Sequence, residues 1–269
     1  MSTLIVDVQP THNPRRWYLP LRDTHCVGPG DLNSMFGGVG LAASVQALER
    51  TCKRPLVWAT AQYLSFAKAP SVIDLDVIIP VEGRAVTQAR VVGHVGEKEI
   101  FTVNAALGSR PARISQDWGH APVVAPPQDC PPTVNWREEK PGMRRLIDAR
   151  VAAGRFDHDG ADLPDPGPDS QVILWMRLVD DSPIDATMLA LFADHIPYAL
   201  GHAVGFRAGG TSLDNTIRIV RVVPTQWVLC DVRVHAIDGG FAHGAMRLFS
   251  QDGALMAMGS QSMILRDQR

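Results

Sequence analysis

No stretch of the 269-residue sequence approaches the ~18 consecutive apolar residues of a membrane-spanning helix. Met1 to Arg16 also lacks a cationic region followed by an apolar run, so neither a span nor a secretory leader is expected and the chain reads as a soluble cytoplasmic protein. Charge of one sign is equally scarce. Lys and Arg number 26 against 28 Asp and Glu, a formal net charge of -2, with the two signs mixed throughout. Without a basic stripe or a polybasic segment, no nucleic-acid partner and no membrane surface is expected. The four cysteines, Cys26, Cys52, Cys130 and Cys230, form no Cys-x-x-Cys pair and no Cys/His ligand spacing, so they read as buried or incidental thiols, with no metal and no cofactor expected. A G-x-S-x-G elbow is missing too, and no His stands where it would serve a serine nucleophile, which disfavours a covalent acyl-serine intermediate.

What is present is a pattern written twice. The first copy runs from about Met35 to Arg110: Phe36-Gly37-Gly38 opens an apolar helix to about Thr51, and strands follow from Ala61-Gln62-Tyr63-Leu64 onward. The second runs from about Pro183 to Arg266, with a helix from Ile184 to about His202. Strands follow at Leu213 to Ile217, Trp227 to Ala236, Gly244 to Ser250 and Ala254 to Leu265. Gly-containing turns at Glu82-Gly83, Val95-Gly96, Asp238-Gly239-Gly240 and Asp252-Gly253 separate the strands. Asp31 or Asn33 is expected to cap the first helix. Its small residues, Gly37, Gly38, Gly40, Ala42 and Ala43, predict close packing against the surrounding strands. Pro111 to about Pro168 reads as a linker containing one strand-like stretch, Leu146 to Val151, matched to Trp17 to Asp23. This places the unit boundary near residue 135, between units 1–134 and 135–269. The expected class is α+β, one helix against an antiparallel sheet in each copy.

Three polar residues occur only in the second copy. Asp194 stands on its helix among apolar neighbours, Ala190, Leu191 and Tyr198, where an unpartnered charge would cost several kcal/mol. It is either functional or a helix-end acid satisfied by solvent near Pro197. Gln261 interrupts the apolar row Leu255, Ala257, Gly259, Met263, Leu265, so its amide needs a polar partner, structural or functional. Ser212 follows Gly209-Gly210-Thr211 and is either a turn residue or a hydroxyl aimed inward. A carboxylate, a hydroxyl and an amide together are what is needed to position a water for attack on a carbonyl.

Phe36-Gly37-Gly38, Gln62-Tyr63-Leu64, Ala193-Asp194, Thr211 to Thr216 and the closing Gln261 to Arg266 resemble the acyl-CoA thioesterase II family. The resemblance covers about residues 15 to 269 apart from much of the linker. It implies a double hotdog, two tandem helix-wrapped antiparallel sheets forming a pseudo-dimer within the chain, and further assembly as a homo-oligomer, with a dimer favoured. It also implies an acyl-CoA substrate hydrolysed by a water held on Asp194, Ser212 and Gln261, with oxyanion donors at Gly37, Gly38 and Val39. The sequence departs from the expected pattern in having Ser rather than Thr at 212, and Asp214-Asn215-Thr216 where Asp-His-Ser is expected. Two alternatives stand beside this: a non-catalytic acyl-CoA or lipid-binding hotdog protein, and an enoyl-CoA hydratase of the same fold. The hydratase would need an Asp-x4-His segment with a Gly-Asp-x-Asn-Pro loop, which the chain lacks, and His195 points about 100° from Asp194 around a helix.

Overall fold

A computed structural model describes residues 5–28, 30, 33–133, 142–154, 170–205 and 208–267. In chain order the first half holds β1 (Gln9–Pro10), β2 (Arg16–Leu21), β3 (Cys26–Val27), β4 (Ser34–Met35), α1 (Gly37–Cys52), β5 (Leu56–Tyr63), β6 (Ser71–Glu82), β7 (Val86–Val95) and β8 (Lys98–Gly108). The second holds β9 (Ile147–Ala153), β10 (Gln171–Leu178), α2 (Ala186–Phe192), a 3-10 segment (Ala193–Ala199) and α3 (Leu200–Val204). It continues with β11 (Ala208–Ser212), β12 (Asp214–Ile219), β13 (Val228–Asp238), β14 (Phe241–Ser250) and β15 (Leu255–Asp267).

The strand order is β1-β2-β6-β7-β8-β5-β12-β15-β14-β13-β10-β9, so the second half repeats the first in reverse and the two meet at the antiparallel pair β5–β12. At that seam Thr60 faces Thr216, and their hydroxyls share a 2.6 Å hydrogen bond. Joining the halves edge to edge hides two strand edges that would otherwise stay open. The inner face of this sheet wraps the helices, which is the double-hotdog arrangement.

The wrapping explains the composition of α1. Val39, Leu41, Ala42, Ala43, Val45, Ala47 and Leu48 are all inaccessible to solvent, so the helix is apolar around most of its circumference rather than along one stripe. Ser44, the polar exception, satisfies its hydroxyl on the Gly40 carbonyl at 2.9 Å.

Four expectations change. The α1 start has Phe36 at its cap position with no side-chain cap; Asn33 lies a turn too early and Asp31 is outside the described residues. The second helix is interrupted at Asp194, whose φ of -89° and ψ of 23° leave the helical range just before Pro197. The counterpart of β2 is β10 rather than the stretch from Leu146: β2 pairs β6 as β10 pairs β13, and β9 lies outside β10. Strand β10 reads Gln-Val-Ile-Leu-Trp-Met-Arg-Leu and is buried on both faces, so it carries no period-two alternation to announce it.

What covers its outer face is the fourth change. Part of the proline-rich stretch is a packed strap rather than a free linker. Trp175 Nε1 donates to the Ala125 carbonyl at 2.9 Å, Arg150 Nη1 donates to the Pro127 carbonyl at 3.1 Å, and Cys130 is buried with Trp175, Trp227, Leu229 and Phe249. The expected boundary near residue 135 and the second proline cluster, Asp162 to Pro168, lie outside the described residues.

Candidate active site

The break in the second helix places Asp194. Asp185 caps α2 by accepting from the Met188 amide at 2.9 Å, and seven helical residues later the chain loosens, turning the Asp194 carboxylate toward the start of α1. One carboxylate oxygen, Oδ2, accepts the Gly38 amide at 2.6 Å. The amide that no local side chain caps is thus capped by the other half of the molecule, where the partial positive charge of a helix start favours an anion. The second oxygen, Oδ1, accepts from Gln261 Nε2 and lies 3.5 Å from Ser212 Oγ, while Gln261 Nε2 also reaches Ser212 Oγ at 2.7 Å. Asp194, Ser212 and Gln261 therefore occupy one cluster, contributed by the helix break, the end of β11 and the middle of β15.

Asp194 and Gln261 are each 2% exposed. Burial pushes the Asp194 carboxyl up to about 7, against the opposing pull of Gln261, Gly38, Ser212 and the nearby Asn215. A carboxylate poised there takes up and releases a proton readily at neutral pH, as a general base must.

Of the three helix-start amides, Gly38 is engaged by Asp194 and Val39 donates to the Phe36 carbonyl at 2.9 Å. Gly37 makes no such bond among the described residues. The glycines are required by approach rather than by conformation. A Cβ on Gly37 would lie 2.8 Å from Asp194 Oδ2 and 2.9 Å from Tyr63 Cζ, and one on Gly38 would lie 2.7 Å from the Leu191 carbonyl oxygen. The close packing predicted against strands is thus, at these two positions, packing against α2, the helix break and one tyrosine. Gly38→Ala pits a methyl group against backbone, which cannot swing aside. It is expected to destabilise the fold by about 1–3 kcal/mol and to lower turnover, checked by urea unfolding and assay in parallel.

Two polar side chains that carried no role in the sequence also face this cluster. Among the described residues, the buried Tyr63 hydroxyl at the end of β5 and both amide atoms of the fully buried Asn215 on β12 make no hydrogen bond of normal geometry, although Asn215 lies beside both Tyr63 and Asp194. The one available signal was a lone Asn inside a strand, where Asn is disfavoured. His195 is buried, its Nδ1 at 3.0 Å from the Phe192 carbonyl and its ring edge-on to Phe36. Arg218 is exposed, and Arg221 pairs with Asp117 at 2.9 Å. Among the described residues no cluster of three or more His, Cys, Asp or Glu is placed to hold a metal ion, and no helix is long and apolar enough to cross a membrane.

Comparison with known proteins places this architecture. Residues 127–265 match the family described as the acyl-CoA thioesterase C-terminal domain. A solved protein from Novosphingobium aromaticivorans, assigned as a thioesterase, is 34% identical with a TM-score of 0.84, over 97% of this chain and 98% of its own. An acyl-CoA thioesterase II from Mycobacterium marinum, 20% identical, has a TM-score of 0.73 over 97% of this chain and 96% of its own. A hot dog protein from Alicyclobacillus acidocaldarius, 18% identical, reaches 0.82 over 98% and 97%; these two bear on the fold alone. The comparison with curated proteins gives no match. A family match across half the sequence and a full-length relative above 30% identity agree with the fold, and the chain therefore belongs to the acyl-CoA thioesterase family of double-hotdog thioester hydrolases.

Proposed function

We propose that this protein hydrolyses an acyl-CoA thioester to the free acid and CoA, using a water held by Asp194, Ser212 and Gln261. The observation that carries the reading is the buried Asp194 carboxylate, raised to about 7 and bonded by an amide and a hydroxyl on its Oδ1 side. Water bonded to Asp194 attacks the carbonyl carbon while its proton passes to the carboxylate, and Ser212 and Gln261 fix the direction of the oxygen. The tetrahedral intermediate collapses, the carbon–sulfur bond breaks, and the proton on Asp194 goes to the departing thiolate. Atoms balance as water plus thioester giving acid plus thiol. Of the amides proposed as oxyanion donors, Gly37 is the one free to serve, since Gly38 secures the base and Val39 is tied to Phe36.

The units 1–134 and 135–269, the cytoplasmic setting and the homodimer belong to the same proposal. One observation favours a second reading: Gln261 bonds Asp194 directly, as it would in a silent acyl-CoA-binding protein. Free-thiol release from a panel of short, long and aryl acyl-CoAs separates the two. Turnover of at least one supports hydrolysis. Binding of acyl-CoA with no thiol released from any of them would move the assignment to a carrier.

A further inference from the structure

We infer that the Tyr63 hydroxyl and the Gly37 amide, backed by the Asn215 carboxamide, form a second polar lobe of the site that holds the thioester carbonyl oxygen and the oxyanion it becomes. This deepens the hydrolytic reading above and rests on it.

The lobe is drawn by polar atoms that the fold buries and leaves unpaired. Among the described residues, Tyr63 Oη, Asn215 Oδ1 and Asn215 Nδ2 make no hydrogen bond of normal geometry. Leaving such a group unmade costs about 1–3 kcal/mol, and two side chains left short of full bonds beside the carboxylate offer a ligand oxygen the donors it needs. They also converge. The position a Cβ would take on Gly37 is 3.0 Å from Tyr63 Oη and 2.8 Å from Asp194 Oδ2, so the tyrosine hydroxyl, the carboxylate and the open Gly37 amide crowd one point. Asn215 lies close enough to Tyr63 and Asp194 to favour the ionised form of each, yet it makes no hydrogen bond of normal geometry to either.

The two oxygens of Asp194 then divide the work. Oδ1 meets Gln261 and Ser212, the side proposed for water, whereas Oδ2 meets the Gly38 amide and looks toward Tyr63. On attack, negative charge leaves the carboxylate as it is protonated and appears on the carbonyl oxygen. Neutral donors adjacent to both positions are what that transfer requires. Burial and the nearby Asp194 push the Tyr63 phenol well above its ordinary value, so it stays a neutral donor. The two donors of the lobe, Tyr63 and Gly37, come from the first half of the chain, whereas Asn215 behind them and the water-holding residues come from the second, so the halves must meet at the β5–β12 seam for one site to exist.

The test uses Tyr63→Phe, which removes only the hydroxyl, and two unreactive CoA ligands. One is a ketone in which a methylene replaces sulfur, the other a thioether in which a methylene replaces the carbonyl. Wild type is expected to bind the ketone more tightly than the thioether. In Tyr63→Phe the ketone weakens on the order of tenfold while the thioether is unchanged, and kcat falls on the order of 10²-fold. Melting temperature holds or rises, because an unpaired buried group has gone. The inference falls if wild type binds both ligands alike, if both weaken equally in the variant, or if the variant turns over like wild type. The ligand comparison does not need turnover. A ketone preference that Tyr63→Phe abolishes upholds the lobe even if no acyl-CoA is hydrolysed, whereas turnover with no ketone preference removes the lobe and leaves hydrolysis standing. Should Tyr63→Phe not fold, the same comparison in Asn215→Ala serves, with the same loss of ketone preference expected and an unchanged preference overturning the lobe.

Discussion

Asp194→Asn is expected to lower kcat on the order of 10²–10⁴-fold, the range general-base catalysis supplies, while the protein stays folded. Asparagine keeps the size of the side chain and an acceptor for Gln261 but cannot take a proton from water. In wild type the reactive form is the carboxylate, so kcat should climb with pH through about 7 and then level; in the variant that limb should vanish. The same group leaves a mark on stability, with a definite sign. Burial raises the folded pKa from 3.8 to about 7, so between those values the native state holds a proton that the unfolded chain has released. Wild-type stability from this group therefore falls as pH rises through that window, because the unfolded chain gains by ionising while the buried carboxyl stays protonated. Asp194→Asn removes the dependence. Its stability relative to wild type should grow by about 1.4 kcal/mol per pH unit across the window and stop growing above about 7. Denaturant unfolding at a series of pH values reads this directly. A flat difference would mean that Asp194 is already ionised well below neutrality, and it would remove the reason for assigning it as a base poised at physiological pH.

The duplication, the class and most strands were legible because the signals are local. The row from Leu255 to Leu265 alternates, and Gly96, Gly239, Gly240 and Gly253 sit in turns with positive φ, as their places between strands suggested. What the sequence hid is whatever depends on contacts across the molecule. Strand β10 is apolar on both faces because a strap from a distant, proline-rich stretch covers its back, so neither element is interpretable without the other. The start of α1 looked as if it needed Asp31 or Asn33, but its cap is Asp194, contributed by the other half. Polarity out of place pointed to Asp194 and Gln261, since a charge or amide in an apolar row is visible in one dimension. Tyr63 gave no such signal. Its ring belongs on a strand, and only the position of its hydroxyl beside Gly37 and Asp194 sets it apart.

Gln261→Leu should separate orientation of the water from tuning of the base. Both bonds from the Gln261 amide go to the same cluster, one to Asp194 Oδ1 and one to Ser212 Oγ, and its bond to Asp194 is the strongest influence holding that pKa down against burial. Leucine matches the apolar row around it, Ala257, Gly259 and Met263, so the strand and its pairing with β14 and β12 should survive. Without the donor the carboxylate loses stabilisation of its charged form, and its pKa climbs further above 7. The rising limb of the pH profile must then move toward alkaline pH. At neutral pH two losses add, a smaller ionised fraction and a water no longer held in line, and kcat should drop on the order of 10²–10³-fold, as it does when one preorganised donor is removed from an enzyme site. At pH 9 the first loss is largely recovered and only the second remains, so the deficit should shrink. A pH-independent deficit with an unshifted limb would show that Gln261 orients the water without setting the base. A shifted limb with full activity at high pH would show the reverse, leaving Ser212 as the residue that aims the attack.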